Sequence, residues 1–121
     1  MSKRILVVED EEDNRRIVRD LLTSVGYEII EAVTGEEGVK AAETDLPDLI
    51  LMDIQLPGLD GYDATRRIKA NPALRKVPII VVTSYALSGD DDKAFEAGCD
   101  GYVSKPFSPR ALLAKIREYL P

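Results

Sequence analysis

The 121-residue chain contains no histidine and a single cysteine, Cys99. Without histidine, His–Cys zinc sites and both Ser–His and Cys–His nucleophilic catalysis are excluded. One thiol cannot close an internal disulfide, so Cys99 reads as a small buried apolar residue. Positive charge is also short. The chain has 16 Lys and Arg against 22 Asp and Glu, a net charge of -6, whereas nucleic-acid binders usually carry a basic footprint. No apolar run is long enough to span a membrane. The apolar run Ile5 to Val8 behind Lys3 and Arg4 is too short for a signal peptide, so a cytoplasmic location is expected. There is no internal repeat, low-complexity stretch or linker. Nor is there a Gly-rich loop of the Walker or dinucleotide type, which argues against a bound nucleotide. The length fits one domain, residues 1–121, and 45% hydrophobic residues supply its core.

The most informative stretch runs from Asp48 to Gly61. Leu49 to Met52 is continuously apolar, as in a parallel strand covered on both faces. Asp53 follows where the run ends. A carboxylate inside that strand would be costly to bury, but one at its C-terminal tip need not be, and in open α/β sheets that tip is where ligands sit. Pro57-Gly58 forms a turn beyond it. Taken alone, Asp53 is either an acid facing a crevice or a strand-terminating residue that caps a turn.

The remainder alternates strand and helix. Ile5 to Val8 is a buried strand ending in Glu9-Asp10. Asp13 is expected to cap a helix running to about Val25, with Ile17, Val18, Leu21, Leu22 and Val25 on its apolar face and Gly26 at its end. Tyr27 to Ala32 alternates partially, as an edge strand does. Thr34 and Glu37 have capping-box spacing before a helix that buries Val39, Ala42 and Leu46 and stops at Pro47. Tyr62 to Ala70 is a third helix, broken at Asn71-Pro72, and Asp60-Gly61 is its start. Val77 to Val82 is the fourth strand, ending at Thr83-Ser84. Ser88 is expected to cap a helix whose first turn holds Asp90, Asp91 and Asp92 and which Gly98 closes. Gly101 to Ser104 is the fifth strand, ending at Lys105-Pro106. Ser108-Pro109 then starts a helix with the stripe Leu112, Leu113, Ile116 and Leu120. Strand–helix repeated five times implies right-handed βαβ units and a parallel sheet. The expected fold is a three-layer αβα, flavodoxin-like (βα)5 domain with strand order 2-1-3-4-5.

In that order strands 1 and 3 are neighbours at the switch point. Glu9, Asp10 and Asp53 then share one pocket, with Thr83 and Lys105 on its far flank. Two carboxylates ~4 Å apart at an effective dielectric near 20 repel by about 4 kcal/mol, so either one holds its proton or a cation binds. The all-oxygen set suits Mg²⁺ or Mn²⁺. A divalent ion, a lysine and a hydroxyl around a central carboxylate is an arrangement for phosphoryl transfer, with Asp53 as nucleophile. The ordinary alternatives are a solvated loop lysine for Lys105, a β-favouring Thr83 and a half-buried strand aromatic for Tyr102.

These pieces together resemble the receiver domain of two-component response regulators, the CheY-like and single-domain DivK-like family. The matching residues are Leu6 to Asp10, Leu51 to Gly61, Val81 to Ser84 and Gly101 to Phe107, and the likeness covers the whole chain. The resemblance implies phosphorylation of Asp53 by a sensor histidine kinase or histidine phosphotransfer protein. It implies Asp10, Asp53 and the Gln55 backbone carbonyl as Mg²⁺ ligands, with Glu9 acting through water. It also implies a cis Lys105-Pro106 peptide, a Thr83–Tyr102 switch pair, and output to a protein effector through the helix 4–strand 5–helix 5 face. The departure is Glu9, where many relatives have Asp. A stand-alone monomer or weak dimer that binds neither nucleic acid nor membrane is expected. It would be a signalling domain rather than an enzyme, apart from its own phosphorylation and dephosphorylation, with Gln55 and Tyr85 bordering the path of the attacking water.

Two other readings compete. A phosphohydrolase of the haloacid-dehalogenase type would place a second Asp two residues beyond the first, where this chain has Gln55. A non-phosphorylated pseudo-receiver used only for binding would usually have lost an acid or the lysine, and none is lost here. Arg15, Arg16 and Arg19, like Arg66 and Arg67, read as solvated helix faces; the first group flanks the site, where a kinase could dock.

Overall fold

A computed structural model describes residues 3–83, 90–105 and 107–121, leaving aside the side chains of residues 90–92. The expectations for Ser84, Tyr85, the Ser88 cap, the acid side chains of the following turn and the Lys105-Pro106 peptide lie outside the described residues. The element order is β1 (Arg4–Val8), α1 (Glu12–Ser24), β2 (Glu28–Ala32), α2 (Gly35–Asp45), β3 (Leu49–Asp53), α3 (Gly61–Ala70), β4 (Ile79–Thr83), α4 (Asp90–Ala97), β5 (Gly101–Ser104) and α5 (Pro109–Tyr119). The strands are parallel in the order β2-β1-β3-β4-β5, as expected. β3 and β4 are buried at every position, which is why they read as unbroken apolar runs. β2 lies at an edge and exposes Glu28 and Glu31.

Strand alternation divides the core in two. Ile5, Val7, Leu49, Leu51 and Ile80 pack with Leu22 of α1 and with Leu112 and Ile116 of α5. Leu6, Val8, Ile50, Met52, Ile79 and Val81 pack with Ala42 of α2, Ala64 and Ile68 of α3, and Ala94 of α4. The result is three layers. Thr34, Asp60 and Ser108 cap their helices by accepting from the N–H groups of Glu37, Asp63 and Ala111, and Pro109 occupies the first helical position as expected.

Several local expectations are corrected. Asp13 is not a cap: α1 begins at Glu12, its N-cap residue is Glu11, and no side chain caps it. Ile17 and Val25 are exposed rather than buried, at 58% and 41%. Ile17 lies roughly 140° around the helix from the buried Leu22, given about 100° per residue, and lines a cavity beside Val7 and Leu51 instead of filling the packed core. Leu46 is 55% exposed. It is the left-handed C-cap residue of α2, with φ 46°, so it no longer lies on the helix face its spacing implied. β4 starts two residues later than expected, at Ile79 and beyond Pro78, and includes Thr83.

Candidate functional site

The site forms where the C-terminal tips of β1, β3, β4 and β5 meet. Glu9 follows Val7 by two positions and Asp53 follows Leu51 by two, so both acids continue the sheet face that packs on α1 and α5. The Glu9 N–H extends the ladder to the Ala32 carbonyl at 3.0 Å. Both acids are buried, whereas Asp10 is exposed. Ligating oxygens of Glu9, Asp10 and Asp53 all lie within 4.8 Å of one another.

Lys105 reaches these acids from the end of β5. Its Nζ donates to Glu9 Oε1 at 3.1 Å and to Asp53 Oδ2 at 3.4 Å. The other oxygen of Asp53 accepts from the Gln55 N–H at 3.2 Å, and Glu9 Oε2 accepts from the Glu11 N–H at 3.3 Å. A cavity of about 550 Å³ opens beside the acids, with Val7, Val18, Leu51, Val82, Phe107 and Leu112 in its wall. Such apolar walls lower the local dielectric and strengthen charge interactions.

The electrostatics follow. Burial pushes the Glu9 carboxyl above its ordinary value, and the hydrogen bond and charge of Asp53 push it further; Lys105 and the Glu11 N–H only partly oppose them. Burial works against the Lys105 charge, but Asp53 and Glu9 outweigh it and raise its pKa. One ammonium therefore does not satisfy three acids, and a proton or a second cation is favoured. The donor set fits a hard divalent cation: the oxygens converge, and the Asp10 carboxylate has no protein partner among the described residues.

Thr83 is buried and shares the other sheet face with Ile79 and Val81, toward α3 and α4. It is joined to Lys105 through the backbone, its carbonyl accepting from the Lys105 N–H at 2.7 Å. Tyr102 pairs with Val81 in the ladder, on that same face, and packs edge-to-face against Phe95 of α4 with ring centroids 6.1 Å apart. Glu9, Asp10, Asp53, Lys105 and the Gln55 N–H are thus brought together, while Thr83 and Tyr102 share the other face of the sheet.

Arg15 was missed as part of this neighbourhood. It is not a solvated residue: its side chain is 16% exposed, its Nε pairs with Glu31 Oε1 at 3.1 Å, and its Nη1 donates to the Glu9 carbonyl at 3.0 Å. The partners come from β1 and the edge strand, so no helical spacing could reveal them. Cys99 is buried, as expected.

The response regulator receiver domain model matches residues 5–117. The polar-differentiation response regulator DivK of Brucella ovis is 42% identical over 120 residues, which cover 99% of this chain and 98% of the relative. Among solved structures, the receiver domain of a sensor histidine kinase from Pseudomonas aeruginosa PAO1 is 39% identical with a TM-score of 0.93, covering 99% of this chain and 98% of that one. That structure holds a magnesium ion coordinated in its active site cleft. A putative response regulator from Chloroflexus aurantiacus J-10-fl is 31% identical with a TM-score of 0.95, again over 99% and 98% of the two chains.

Proposed function

The chain belongs to the response regulator receiver domain family, and on that premise we propose that Asp53 accepts a phosphoryl group from a histidine kinase or histidine phosphotransfer protein in a Mg²⁺-dependent reaction. The observation that carries this reading is the convergence of the Glu9 and Asp10 carboxylates and the Lys105 ammonium on Asp53. A carboxylate oxygen of Asp53 attacks the phosphorus of the donor's phosphohistidine. The O–P bond forms, the P–N bond breaks, and the electron pair leaves on the imidazole nitrogen. Glu9, Asp10, Asp53 and the Gln55 backbone carbonyl would hold Mg²⁺, which when bound neutralises charge on the phosphoryl oxygens. Lys105 supplies the second positive charge and orients Asp53.

Phosphorylation then gives the Thr83 hydroxyl an acceptor. Its movement toward the phosphoryl group opens space for Tyr102, and the α4–β5–α5 face changes its affinity for a protein effector. The change is a population shift, so the phosphoryl group must favour one arrangement over the other. The shared sheet face of Thr83 and Tyr102 supports this route. Output by way of a protein partner in the cytoplasm, from a monomer or weak dimer, completes the proposal. Among the described residues no helix is long and apolar enough to cross a membrane.

Phosphoramidate or acetyl phosphate with Mg²⁺ should add one phosphoryl group to the intact protein by mass spectrometry. Asp53→Asn should abolish the addition. Mg²⁺-dependent labelling that persists in Asp53→Asn would remove Asp53 as the acceptor. Turnover of p-nitrophenyl phosphate would instead favour the phosphohydrolase.

A further inference from the structure

We propose that Arg15 is a positioning residue for the metal-binding acids: it holds the Glu9 carbonyl, thereby fixes the peptide that carries Asp10, and is itself fixed by Glu31. The inference rests on the Mg²⁺ reading of the site given above.

The carbonyl that Arg15 holds belongs to the Glu9–Asp10 peptide. Its Nη1 donates to that oxygen at 3.0 Å. A peptide is planar, so holding its oxygen sets the direction of the following N–H and Cα, and with them the start of the Asp10 side chain. Asp10 needs that help. Among the described residues its carboxylate has no protein partner, and it is exposed. Glu9 is held at several points: its N–H by Ala32, one carboxylate oxygen by Lys105 and the other by the Glu11 N–H. The aim of Asp10 is left to the backbone: Arg15 restrains the Glu9–Asp10 peptide before it, and the Glu9 carboxylate holds the Glu11 N–H after it.

Arg15 is held in turn. Its Nε donates to Glu31 Oε1 at 3.1 Å, and Arg19 Nη1 lies 3.4 Å from both oxygens of Glu31. The guanidinium fork thus ties the edge strand β2 and helix α1 to the tip of β1, and its planarity fixes both bonds at once. A lysine could reach one partner but could not reproduce the fork. Groups that orient metal ligands without touching the metal typically alter affinity by about 10–100-fold.

The test compares wild type, Arg15→Met, Arg15→Lys and Glu31→Gln. Mg²⁺ affinity is measured by titration calorimetry, and the Asp10 and Glu11 amide resonances by ¹⁵N NMR in metal-free buffer. Arg15→Met keeps the apolar stem and should weaken Mg²⁺ binding by about tenfold, with the metal-free amides of Asp10 and Glu11 displaced. Arg15→Lys should recover part of that affinity. Glu31→Gln, a change at a partly exposed pair, should weaken Mg²⁺ binding by about threefold and keeps the test open should Arg15→Met fail to fold. A general loss of packing would lower the melting temperature of both Arg15 variants without separating their Mg²⁺ affinities. Wild-type binding together with Arg15→Met affinity within about twofold of it and unmoved amides would overturn the inference. Absence of Mg²⁺ binding by the wild type would overturn the metal site itself.

Discussion

Gly61→Ala tests how closely the fold and the site depend on each other. Gly61 is the first residue of α3, and its N–H donates to the Ile54 carbonyl at 3.0 Å. A Cβ built there would sit 2.2 Å from the Asp53 carbonyl oxygen and 2.7 Å from the Ile54 Cα. Both are backbone atoms at the end of a buried strand, so no side chain can swing aside. Restoring ordinary contact requires the two backbones to part by about 1 Å. Overpacking of this kind typically costs 1–3 kcal/mol, and rigid neighbours place Gly61→Ala near the top, at about 3 kcal/mol. That is a large share of a usual stability of about 5–15 kcal/mol and corresponds to a melting-temperature drop of about 10 °C. Gly26→Ala is the matched comparison. Nothing lies within 4 Å of its added Cβ, but its φ is +98°, so it bears a conformational cost of only about 1 kcal/mol. Urea unfolding should therefore rank Gly61→Ala well below Gly26→Ala. Because Asp53 itself moves, only Gly61→Ala should also slow phosphoramidate labelling. Equal stability of the two variants would refute the steric argument.

Three further predictions concern charge. Lys105→Met removes the ammonium lying 3.1 Å from Glu9 and 3.4 Å from Asp53; it should tighten Mg²⁺ binding by about tenfold or more while slowing phosphoryl transfer, and calorimetry showing weaker Mg²⁺ binding would contradict this. For Glu9, burial and then Asp53 raise the folded pKa above 4.5, so its favourable contribution is present below that value and lost as pH rises through the folded one. Metal-free Glu9→Gln should thus gain stability relative to wild type from acid to neutral pH, and added Mg²⁺ should reverse the gain; parallel melting curves across that range would refute it. For Cys99, burial and then Asp100 push the thiol up from 9.0 to about 11. The native thiolate population at pH 8 is then about 100-fold below that of an ordinary cysteine, and the associated stability is lost as pH rises from about 9 through 11. Ellman's reagent should react slowly with native protein and normally in urea; native and unfolded rates within about tenfold of each other would count against a buried thiol.

The strand order and most caps were legible because they are local chemistry in a fixed sequence order: apolar runs of strand length, Thr34 three residues before Glu37, Ser108 before Pro109. The site was legible for the same reason, since its acids and lysine all terminate strands. What failed was whatever depends on how far a neighbouring element extends. Ile17 has the composition of a core residue, but a cavity opens between it and the sheet, and it stays exposed. Leu46 follows the helical spacing, but the chain leaves the helix before its side chain can use it. Arg15 looked like its neighbours Arg16 and Arg19 because a charged helix face says nothing about a carbonyl on another element.

The register defines how the two groups of site residues are connected. Strand alternation sets the site residues on two sheet faces: Glu9 and Asp53 continue the face toward α1 and α5, and Thr83 and Tyr102 the face toward α3 and α4. The link between them runs through a single residue, Lys105. The Lys105 N–H binds the Thr83 carbonyl at 2.7 Å while the Lys105 ammonium binds Asp53 and Glu9. Under the proposed function, a displacement of the Thr83 backbone would be carried to the Lys105 ammonium, and a change in charge at Asp53 would pull in turn on the strand that carries Thr83. Because the interior is close-packed, such a pull is resolved by repacking between discrete arrangements rather than by continuous stretching. The acids that make the site costly to fold thus supply the force by which phosphorylation would reach Tyr102.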